Sequence, residues 1–257
     1  MKPFLILQLR AVDAVADNEY EAFLHYGSLR PEETLRIRME KQSLAGLDAR
    51  RFAGVIMGGG PSNVSDRPDL KPDFQHRFEA ELIPLFDQIF AEDVPYLGVC
   101  FGLGAVVSYA GGRVAKERYA EPAGHTTIHL LEAAASDPLL QGLPPSFTAF
   151  AGHKEACQFV PEGAVLLASS DACPVQMIRF RENIYATQFH TELDRIGIIL
   201  RIHHYMNHGY FEPESADALI EEVKHIRTDT PHQILRRFVE RYGGKRLGDG
   251  ETRRRGD

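Results

Sequence analysis

The chain has 257 residues, a formal net charge of −7 at pH 7, and 44% hydrophobic and 25% charged residues. These values are ordinary for a globular protein with a substantial core, and the length suits one large α/β domain or two small ones. The negative charge argues against a surface that binds nucleic acid or an anionic membrane.

The cysteines and the N-terminus indicate a cellular compartment. The three cysteines, Cys100, Cys157 and Cys173, cannot all pair with one another. The first apolar run is short, Arg10 interrupts it, and no small-residue cleavage site follows. We therefore predict reduced thiols and a cytoplasmic location.

The first part of the chain alternates apolar strand patterns with helical patterns. Phe52–Met57 is a continuous apolar run, as expected for a parallel strand covered on both faces. The predicted elements in chain order are strand Phe4–Leu9, helix Asp17–Tyr26, strand Arg36–Glu40, strand Phe52–Met57, helix Phe78–Phe90, a strand ending at Val99 and helix Ala105–Tyr109. This order predicts an α/β fold with an open, mostly parallel sheet and helices on both faces.

From about Arg113 the pattern changes to short strands separated by turn signals. The predicted strands are Thr126–Leu131, Thr148–Ala151, Val165–Ser169, Val175–Phe180 and Ile184–Phe189. The predicted helices that follow are Leu193–Met206, Ser215–Ile226 and Thr230–Gly243. Because no linker-like composition intervenes, we predict a single domain over residues 1–244 with an antiparallel extension of the sheet. Residues 245–257 are polar, and we predict that they are disordered.

Cys100 lies in the sequence Gly98-Val99-Cys100-Phe101-Gly102, between a predicted strand and a predicted helix. Glycines two residues before and two after a nucleophile characterise the elbow G-x-S-x-G, here with sulfur in place of oxygen. Larger residues at those positions would collide with the adjoining strand and helix. The N-terminus of the new helix points at the cysteine, which favours the thiolate.

Two other interpretations of this stretch are structural. A free cysteine at a strand end is commonly a small buried hydrophobe. The run Val94–Gly112 carries no charge, but it is barely long enough for a membrane span and is interrupted by glycines.

A second motif, Gln188-Phe189-His190-Thr191-Glu192, comes immediately after residues Ile184–Thr187, which lie in a predicted strand. Residues two apart in an extended segment face the same side, so His190 and Glu192 can point at one site. Singly, each suits an ordinary structural role at a strand end or a helix start. A thiol nucleophile, however, needs a base, and the base needs an orienting group. We therefore predict a catalytic triad of Cys100, His190 and Glu192.

Together these motifs resemble those of the class I, or triad-type, glutamine amidotransferases. The family has a glycine-rich oxyanion segment, here Gly58-Gly59-Gly60-Pro61-Ser62, then a G-x-C-x-G elbow and a late Q-F-H-x-E. Order and spacing match over about residues 3–210. The sequence is most similar to the stand-alone branch related to the amidotransferase part of GMP synthase. The resemblance implies a flavodoxin-like core.

The resemblance also implies a reaction. Cys100 would attack the side-chain amide of glutamine and form a γ-glutamyl thioester, with the oxyanion held by backbone N–H groups of Phe101 and of the Gly59–Gly60 segment. His190, oriented by Glu192, would protonate the departing ammonia and then activate water. The ammonia would pass to an accepting synthase or amidase partner, and no metal or other cofactor is expected.

Several positions bear on the substrate. The family elbow usually continues G-x-Q with a glutamine that holds the substrate, and Gly104 stands there instead, which weakens the case for free glutamine. Thr191 stands where proline is common. The segment Ala151–Glu155 lies where the family contacts the α-amino group of glutamine. We expect substrate contacts at Gly104, Gly152, His153 and Gln188.

The sequence leaves two alternatives to the amidotransferase function. One is a hydrolase of γ-glutamyl or other small amides that works without a partner, which Gly104 favours. The other is a non-catalytic regulatory subunit that keeps the fold, against which the complete set of triad residues argues.

Overall fold

A nine-stranded sheet runs through the part of the chain that the computed structural model describes, residues 2–207 and 209–244. The strands are β1 (Phe4–Gln8), β2 (Thr34–Arg38), β3 (Gly54–Met57), β4 (Tyr96–Val99), β5 (Val114–Ala115), β6 (Glu121–Leu130), β7 (Ser146–His153), β8 (Ala156–Cys157), β9 (Ala164–Ser169), β10 (Met177–Phe180) and β11 (Ile184–Thr187). The helices are α1 (Asp13–Gly27), α2 (Asp73–Glu92), α3 (Phe101–Tyr109), α4 (Arg195–Tyr205), α5 (Ala216–Val223) and α6 (Asp229–Tyr242). The tail predicted to be disordered, residues 245–257, lies outside the described residues.

The strand order is β2-β1-β3-β4-β11-β10-β9-β6-β7. The first five strands are parallel neighbours, whereas β11, β10, β9, β6 and β7 pair antiparallel. This arrangement confirms the predicted parallel core with an antiparallel extension. The sheet continues without a break from one part into the other. The single domain over residues 1–244 stays a prediction.

The central parallel strands are buried on both faces. Every residue of β1, β3, β4 and β11 is buried, as their apolar runs predict. Side chains that alternate along these strands pack against α2 and α3 on one face and against α1 and α6 on the other. Helices therefore cover both faces of the parallel part.

The structure differs from the sequence prediction at several boundaries. Helix α3 begins at Phe101, directly after the elbow cysteine, and β6 begins at Glu121, before the predicted strand. Helix α2 runs through Pro84, which lies on its exposed side. The short strands β5 and β8 pair with each other in a small second sheet that the sequence did not predict.

In the described ranges, no helix is both long enough and apolar enough to cross a membrane. The uncharged run Val94–Gly112 instead contains β4 and the nine-residue helix α3.

Strand β4 and helix α3 approach each other closely at two glycines. A β-carbon on Gly98 would lie 2.6 Å from the carbonyl oxygen of Gly102, and one on Gly102 would lie 2.7 Å from the carbonyl oxygen of Met57. Tyr96 donates a hydrogen bond of 2.8 Å from its hydroxyl to the same Gly102 carbonyl. These contacts give the steric reason for the glycine spacing of the elbow.

We expect Gly98→Ala to destabilise the fold by about 1–3 kcal/mol, because the added methyl overlaps backbone atoms that cannot move independently. The urea midpoint of unfolding, followed by circular dichroism, measures this change. Gly124→Ala is the matched control, since a β-carbon there meets only Leu219 Cδ1 at 3.8 Å. Equal midpoints for the two variants would contradict the steric argument.

Candidate active site

The carboxyl ends of the parallel strands β1, β3, β4 and β11 lead to one site, as expected for an open α/β sheet. The segment after β3 supplies Gly58–Gly60, the end of β4 supplies Cys100, and the segment after β11 supplies His190. Three neighbouring strands, β3, β4 and β11, thus place residues from distant parts of the sequence together.

Cys100 occupies the turn between β4 and α3 with φ 53° and ψ −98°. A positive φ is uncommon for a residue other than glycine. The turn is held from both sides: the Cys100 N–H donates to the Thr187 carbonyl at 2.7 Å, and the Cys100 carbonyl accepts from the N–H of Leu103 and of Gly104. This backbone has the strand, sharp turn and helix of a nucleophile elbow.

His190 and Glu192 lie beside this cysteine. Nδ1 of His190 is 2.8 Å from Oε1 of Glu192, which leaves Nε2 free of that contact. A β-carbon on Gly59 would lie 2.9 Å from Cε1 of His190 and 3.3 Å from Cβ of Cys100. The structure therefore brings together the three residues of the predicted triad, with Gly59 against two of them.

Backbone donors adjoin the cysteine. The N–H groups of Gly59, Gly60 and Phe101 have no hydrogen-bond acceptor within residues 2–207 and 209–244. Gly60 has to be glycine, because a β-carbon there would lie 2.4 Å from the Leu9 carbonyl oxygen. Gly60 and Phe101 also line the same pocket as Cys100, so both N–H groups are placed for an oxyanion.

Burial disfavours the thiolate form of Cys100. Burial raises its pKa to about 12, although the Arg10 guanidinium acts in the opposite direction. Burial thus opposes the effect expected of the helix N-terminus, which favours the thiolate. At neutral pH the site holds a neutral thiol that needs a base.

His190, the predicted base, has the matching protonation state. Burial lowers the pKa of His190 below its usual range, Glu192 raises it in part, and the cations of Arg201 and Arg10 lower it further. His190 is consequently neutral at pH 7 and able to accept a proton. Burial alone would raise the pKa of Glu192, but His190 and Arg201 outweigh burial, and Glu192 is a carboxylate.

A buried network of charges holds Glu192. Arg201 donates from Nη2 to Oε1 of Glu192 at 3.2 Å and to Oε1 of Glu19 at 3.3 Å. Arg10 donates from Nε to the same Glu19 oxygen at 2.9 Å, and Gln8 donates to its other oxygen. All four charged side chains are almost fully buried. Two arginines therefore balance two carboxylates, and Arg201 links helix α1 to the predicted triad.

The sequence analysis missed Glu19 and Arg201, although both leave a signal in the sequence. Glu19 lies on the buried stripe of α1 with Val15, Ala16 and Phe23. Arg201 lies on the buried stripe of α4 with Ile198 and Ile202. A charged residue at a core position of an amphipathic helix indicates a buried partner.

Two pockets meet at Cys100. The polar pocket contains all four residues expected to contact substrate, and its lining includes Ser62, Asn63, Gly104, Gly152, His153, Lys154, Glu155 and Gln188. The arginine pocket is lined by Arg10, His190, Arg201, Tyr205 and apolar side chains. Gly60, Cys100, Gly152 and Tyr210 border both pockets.

Glu155 lies beside Gly104 in the polar pocket. The Glu155 carboxylate accepts from the backbone N–H groups of Val64 and Ser65 at 2.7 and 2.8 Å. A β-carbon on Gly104 would lie 3.4 Å from this carboxylate and 3.3 Å from Val64. Glu155 thus lies close to the space that a longer side chain at position 104 would enter.

The His153 side chain belongs to a separate buried cluster. Its Nε2 lies 2.8 Å from Glu121 and its Nδ1 lies 2.9 Å from the Glu155 carbonyl oxygen. Ligand atoms of Glu121, His153 and Cys173 all lie within 4.8 Å of one another, which is close enough to hold a metal ion. Burial raises the pKa of the Cys173 thiol to about 12, which disfavours thiolate ligation. The absence of a metal cofactor stays a prediction, and a substrate contact of His153 would involve its backbone.

The raised thiol pKa predicts how Cys100 reacts with iodoacetamide. The alkylation rate should rise about tenfold for each pH unit between pH 7 and 10, because the thiolate is the reactive form. Intact-mass measurements over time give the rate, and Cys100→Ser gives the background from the two other cysteines. A rate that levels off near pH 7 would show a thiolate and contradict the neutral thiol.

The position of Arg201 predicts a shift of the His190 pKa. In Arg201→Gln the pKa of His190 should rise, because a cation that disfavours the imidazolium is removed. An NMR titration of the His190 ring measures the change, with Arg201→Lys expected to restore much of it. Arg195→Gln, an exposed change on the same helix, is the control. An unchanged His190 pKa in Arg201→Gln would show that Arg201 does not act on His190.

Comparisons with known proteins agree with this geometry. The model of the glutamine amidotransferase class-I family matches residues 15–195. A GMP synthase [glutamine-hydrolyzing] of Thermosipho melanesiensis is 34% identical over 140 residues, which cover 54% of this chain and 24% of that protein. A GMP synthase [glutamine-hydrolyzing] of Synechocystis sp. is 29% identical over 205 residues, which cover 76% of this chain and 33% of that protein. The chain thus matches only a quarter to a third of the length of these relatives.

A solved structure shows the same fold. The crystal structure of a glutamine amidotransferase from Thermotoga maritima superposes with a TM-score of 0.73 at 16% identity, covering 94% of this chain and 98% of that one. Because the family model matches well over half of the residues, the chain belongs to the class I glutamine amidotransferase family.

Proposed function

We propose that this protein hydrolyses the side-chain amide of glutamine and delivers the ammonia to an acceptor enzyme. The observation that carries the proposal is the placement of Cys100 on a strained elbow beside the His190–Glu192 pair. Membership of the class I family supports the same reaction.

In the first half-reaction, Cys100 is the nucleophile. His190 takes the thiol proton as the sulfur attacks the amide carbon, because a thiol with a raised pKa is a weak nucleophile until it is deprotonated. The oxyanion that forms accepts hydrogen bonds from the N–H groups of Phe101 and of the Gly59–Gly60 segment. His190 then gives the proton to the nitrogen, the C–N bond breaks, and ammonia leaves a γ-glutamyl thioester.

In the second half-reaction, water replaces ammonia. His190 takes a proton from water, the hydroxide adds to the thioester carbon, and the C–S bond breaks to release glutamate. Glu192 keeps the imidazole oriented through both steps, and Arg201 holds Glu192. Because the pKa of His190 is lowered, the base stays neutral to a lower pH than an ordinary histidine.

The polar pocket suits the head of the substrate. Glutamine carries an α-ammonium and an α-carboxylate, and this pocket presents both an acidic residue, Glu155, and a basic one, Lys154. Gly104, Gly152 and Gln188 complete the proposed substrate site, with His153 contributing backbone only.

We infer the kind of enzyme that accepts the ammonia from the proposed reaction and from the names of the matched relatives. The matched relatives are named GMP synthases, which suggests an ammonia-accepting synthase as partner here. A cytoplasmic location, where thiols stay reduced, would suit a thiol nucleophile.

We expect a chloroketone analogue of glutamine to modify Cys100 stoichiometrically, because it places an electrophile where the amide carbon would lie. Intact-mass spectrometry measures the modification, and added glutamine should slow it. Glutaminase activity should fall at least about a thousandfold in Cys100→Ala, as for loss of a catalytic nucleophile. Cys157→Ala is the matched control, since that buried thiol bonds to the Phe159 carbonyl.

Two outcomes would contradict the proposal. Modification by iodoacetamide at high pH but not by the analogue would mean a working thiol with another substrate. Failure of both reagents to modify folded protein would favour the non-catalytic subunit.

A further inference from the structure

A buried network of polar side chains lies directly behind the polar pocket. Its centre is the carboxylate of Glu121 at the start of β6, a residue that is 6% exposed and does not itself line the pocket. Oε2 of Glu121 lies 2.8 Å from Nε2 of His153 and accepts a hydrogen bond of 2.5 Å from Nε2 of Gln176. A buried carboxylate is tolerated only with strong donors, and both donors here belong to segments that continue to the pocket.

The His153 imidazole is held between two oxygen acceptors. Nε2 faces Glu121, and Nδ1 lies 2.9 Å from the backbone carbonyl oxygen of Glu155. A buried ring that is fixed at both nitrogens cannot rotate. His153 therefore couples Glu121 on β6 to the segment 152–155, and all four residues of that segment line the polar pocket.

Glu155 extends this connection to a second wall of the polar pocket. Its carboxylate accepts from the backbone N–H groups of Val64 and Ser65 and, at 2.6 Å, from the Ser65 hydroxyl. The two residues that precede Val64 line the same pocket. The carboxylate thus ties the segment 152–155 to the segment 62–65, which follows the oxyanion glycines.

Gln176 provides a second connection from Glu121 to the pocket. The Gln176 side chain donates to Glu121, and the Gln176 backbone carbonyl accepts from the N–H of Gln188 at 2.8 Å. Gln188 lines the polar pocket and begins the motif that carries His190 and Glu192. Two paths to the pocket therefore meet at one carboxylate.

We propose that Glu121 is a positioning residue for glutamine, which holds the walls of the polar pocket in their binding geometry through His153 and Glu155. Glu121 has this role only if the polar pocket is the glutamine site, so the proposal rests on the proposed function. Walls that are fixed before the ligand arrives lose less freedom on binding, and affinity rises without a new contact. Glu155 accepts three hydrogen bonds of the roughly four that a carboxylate offers, so it can hold the segment 62–65 and still accept from the α-ammonium group.

The test measures KM and kcat for glutamine hydrolysis in Glu121→Gln. We expect KM to rise about tenfold, the factor for one charge-assisted hydrogen bond, and kcat to stay within about threefold. The amide keeps the size of the side chain but loses the charge that His153 and Gln176 face. Glu222→Gln is the matched control, because Glu222 also contacts a histidine of β6, His125 at 3.0 Å, but is exposed.

Labelling of Cys100 gives a readout that does not depend on turnover. The concentration of the chloroketone analogue that half-saturates the labelling rate should rise in Glu121→Gln by the same factor as KM. The rate with iodoacetamide at fixed pH should not change, because this reagent has no glutamyl head. A general loss of structure would alter both reactions, so the two reagents separate positioning from folding.

Ser65→Ala tests the far end of the connection in a half-buried turn that alanine can occupy. The variant removes the hydroxyl donor to Glu155 and should raise KM about threefold. Because Ser65 and Glu121 act through the same residue, the KM factor of the double variant should be smaller than the product of the two single factors. Factors that multiply would show that the two residues act independently.

The outcomes separate this proposal from the proposed function. A KM in Glu121→Gln equal to that in Glu222→Gln would overturn the positioning role and leave glutamine hydrolysis standing. A fall in kcat with an unchanged KM would overturn it as well, since Glu121 would then act on the chemistry. If Glu121→Gln does not fold, an unchanged KM in Ser65→Ala overturns the proposal. Absence of both hydrolysis and analogue labelling in the natural protein would overturn the proposed function and, with it, this role of Glu121.

Discussion

The whole site depends on the backbone of Cys100. A left-handed φ is costly for a residue with a side chain, and it persists only where the surroundings fix it. Here the Cys100 N–H is held by the Thr187 carbonyl, and its carbonyl receives the first N–H groups of α3. Gly98 and Gly102 allow the strand and the helix to approach closely enough to keep this turn. The same turn carries both Cys100 and the N–H of Phe101, the proposed nucleophile and the proposed oxyanion donor.

The buried charges form the second constraint. Arg10, Glu19, Arg201 and Glu192 join α1, α4 and the ends of β1 and β11. Each charge in such a network is tolerable only while its partner is present, because an unpaired buried charge is strongly destabilising. His190 and Glu192, the proposed base and its orienting carboxylate, are therefore held by residues that do not line the polar pocket. The same arginines give one pocket its positive lining, so one network supports both the base and the pocket.

The sequence predicted those parts of the protein that are encoded locally. The buried runs of β1, β3 and β4 and the elbow Gly98–Gly102 each lie within a few consecutive residues, and the structure confirms them. The pairing of β5 with β8 joins two-residue strands with no periodicity to read. The convergence of Arg10 and Arg201 on Glu19 depends on how β1, α1 and α4 pack. The same holds for the thiol: a helix N-terminus is visible in the sequence, whereas the burial that raises the pKa of Cys100 is a property of the folded chain.

The protonation state of Cys100 also bears on the durability of the protein. Peroxides oxidise thiolates to sulfenic acid and then irreversibly to higher acids, whereas the neutral thiol reacts slowly. Burial raises the pKa of Cys100 to about 12, which disfavours the thiolate that peroxides oxidise. In the proposed reaction the sulfur loses its proton only when His190 takes it, so the easily oxidised form would be confined to turnover. Such a nucleophile would be less exposed to peroxide than one held as a permanent thiolate.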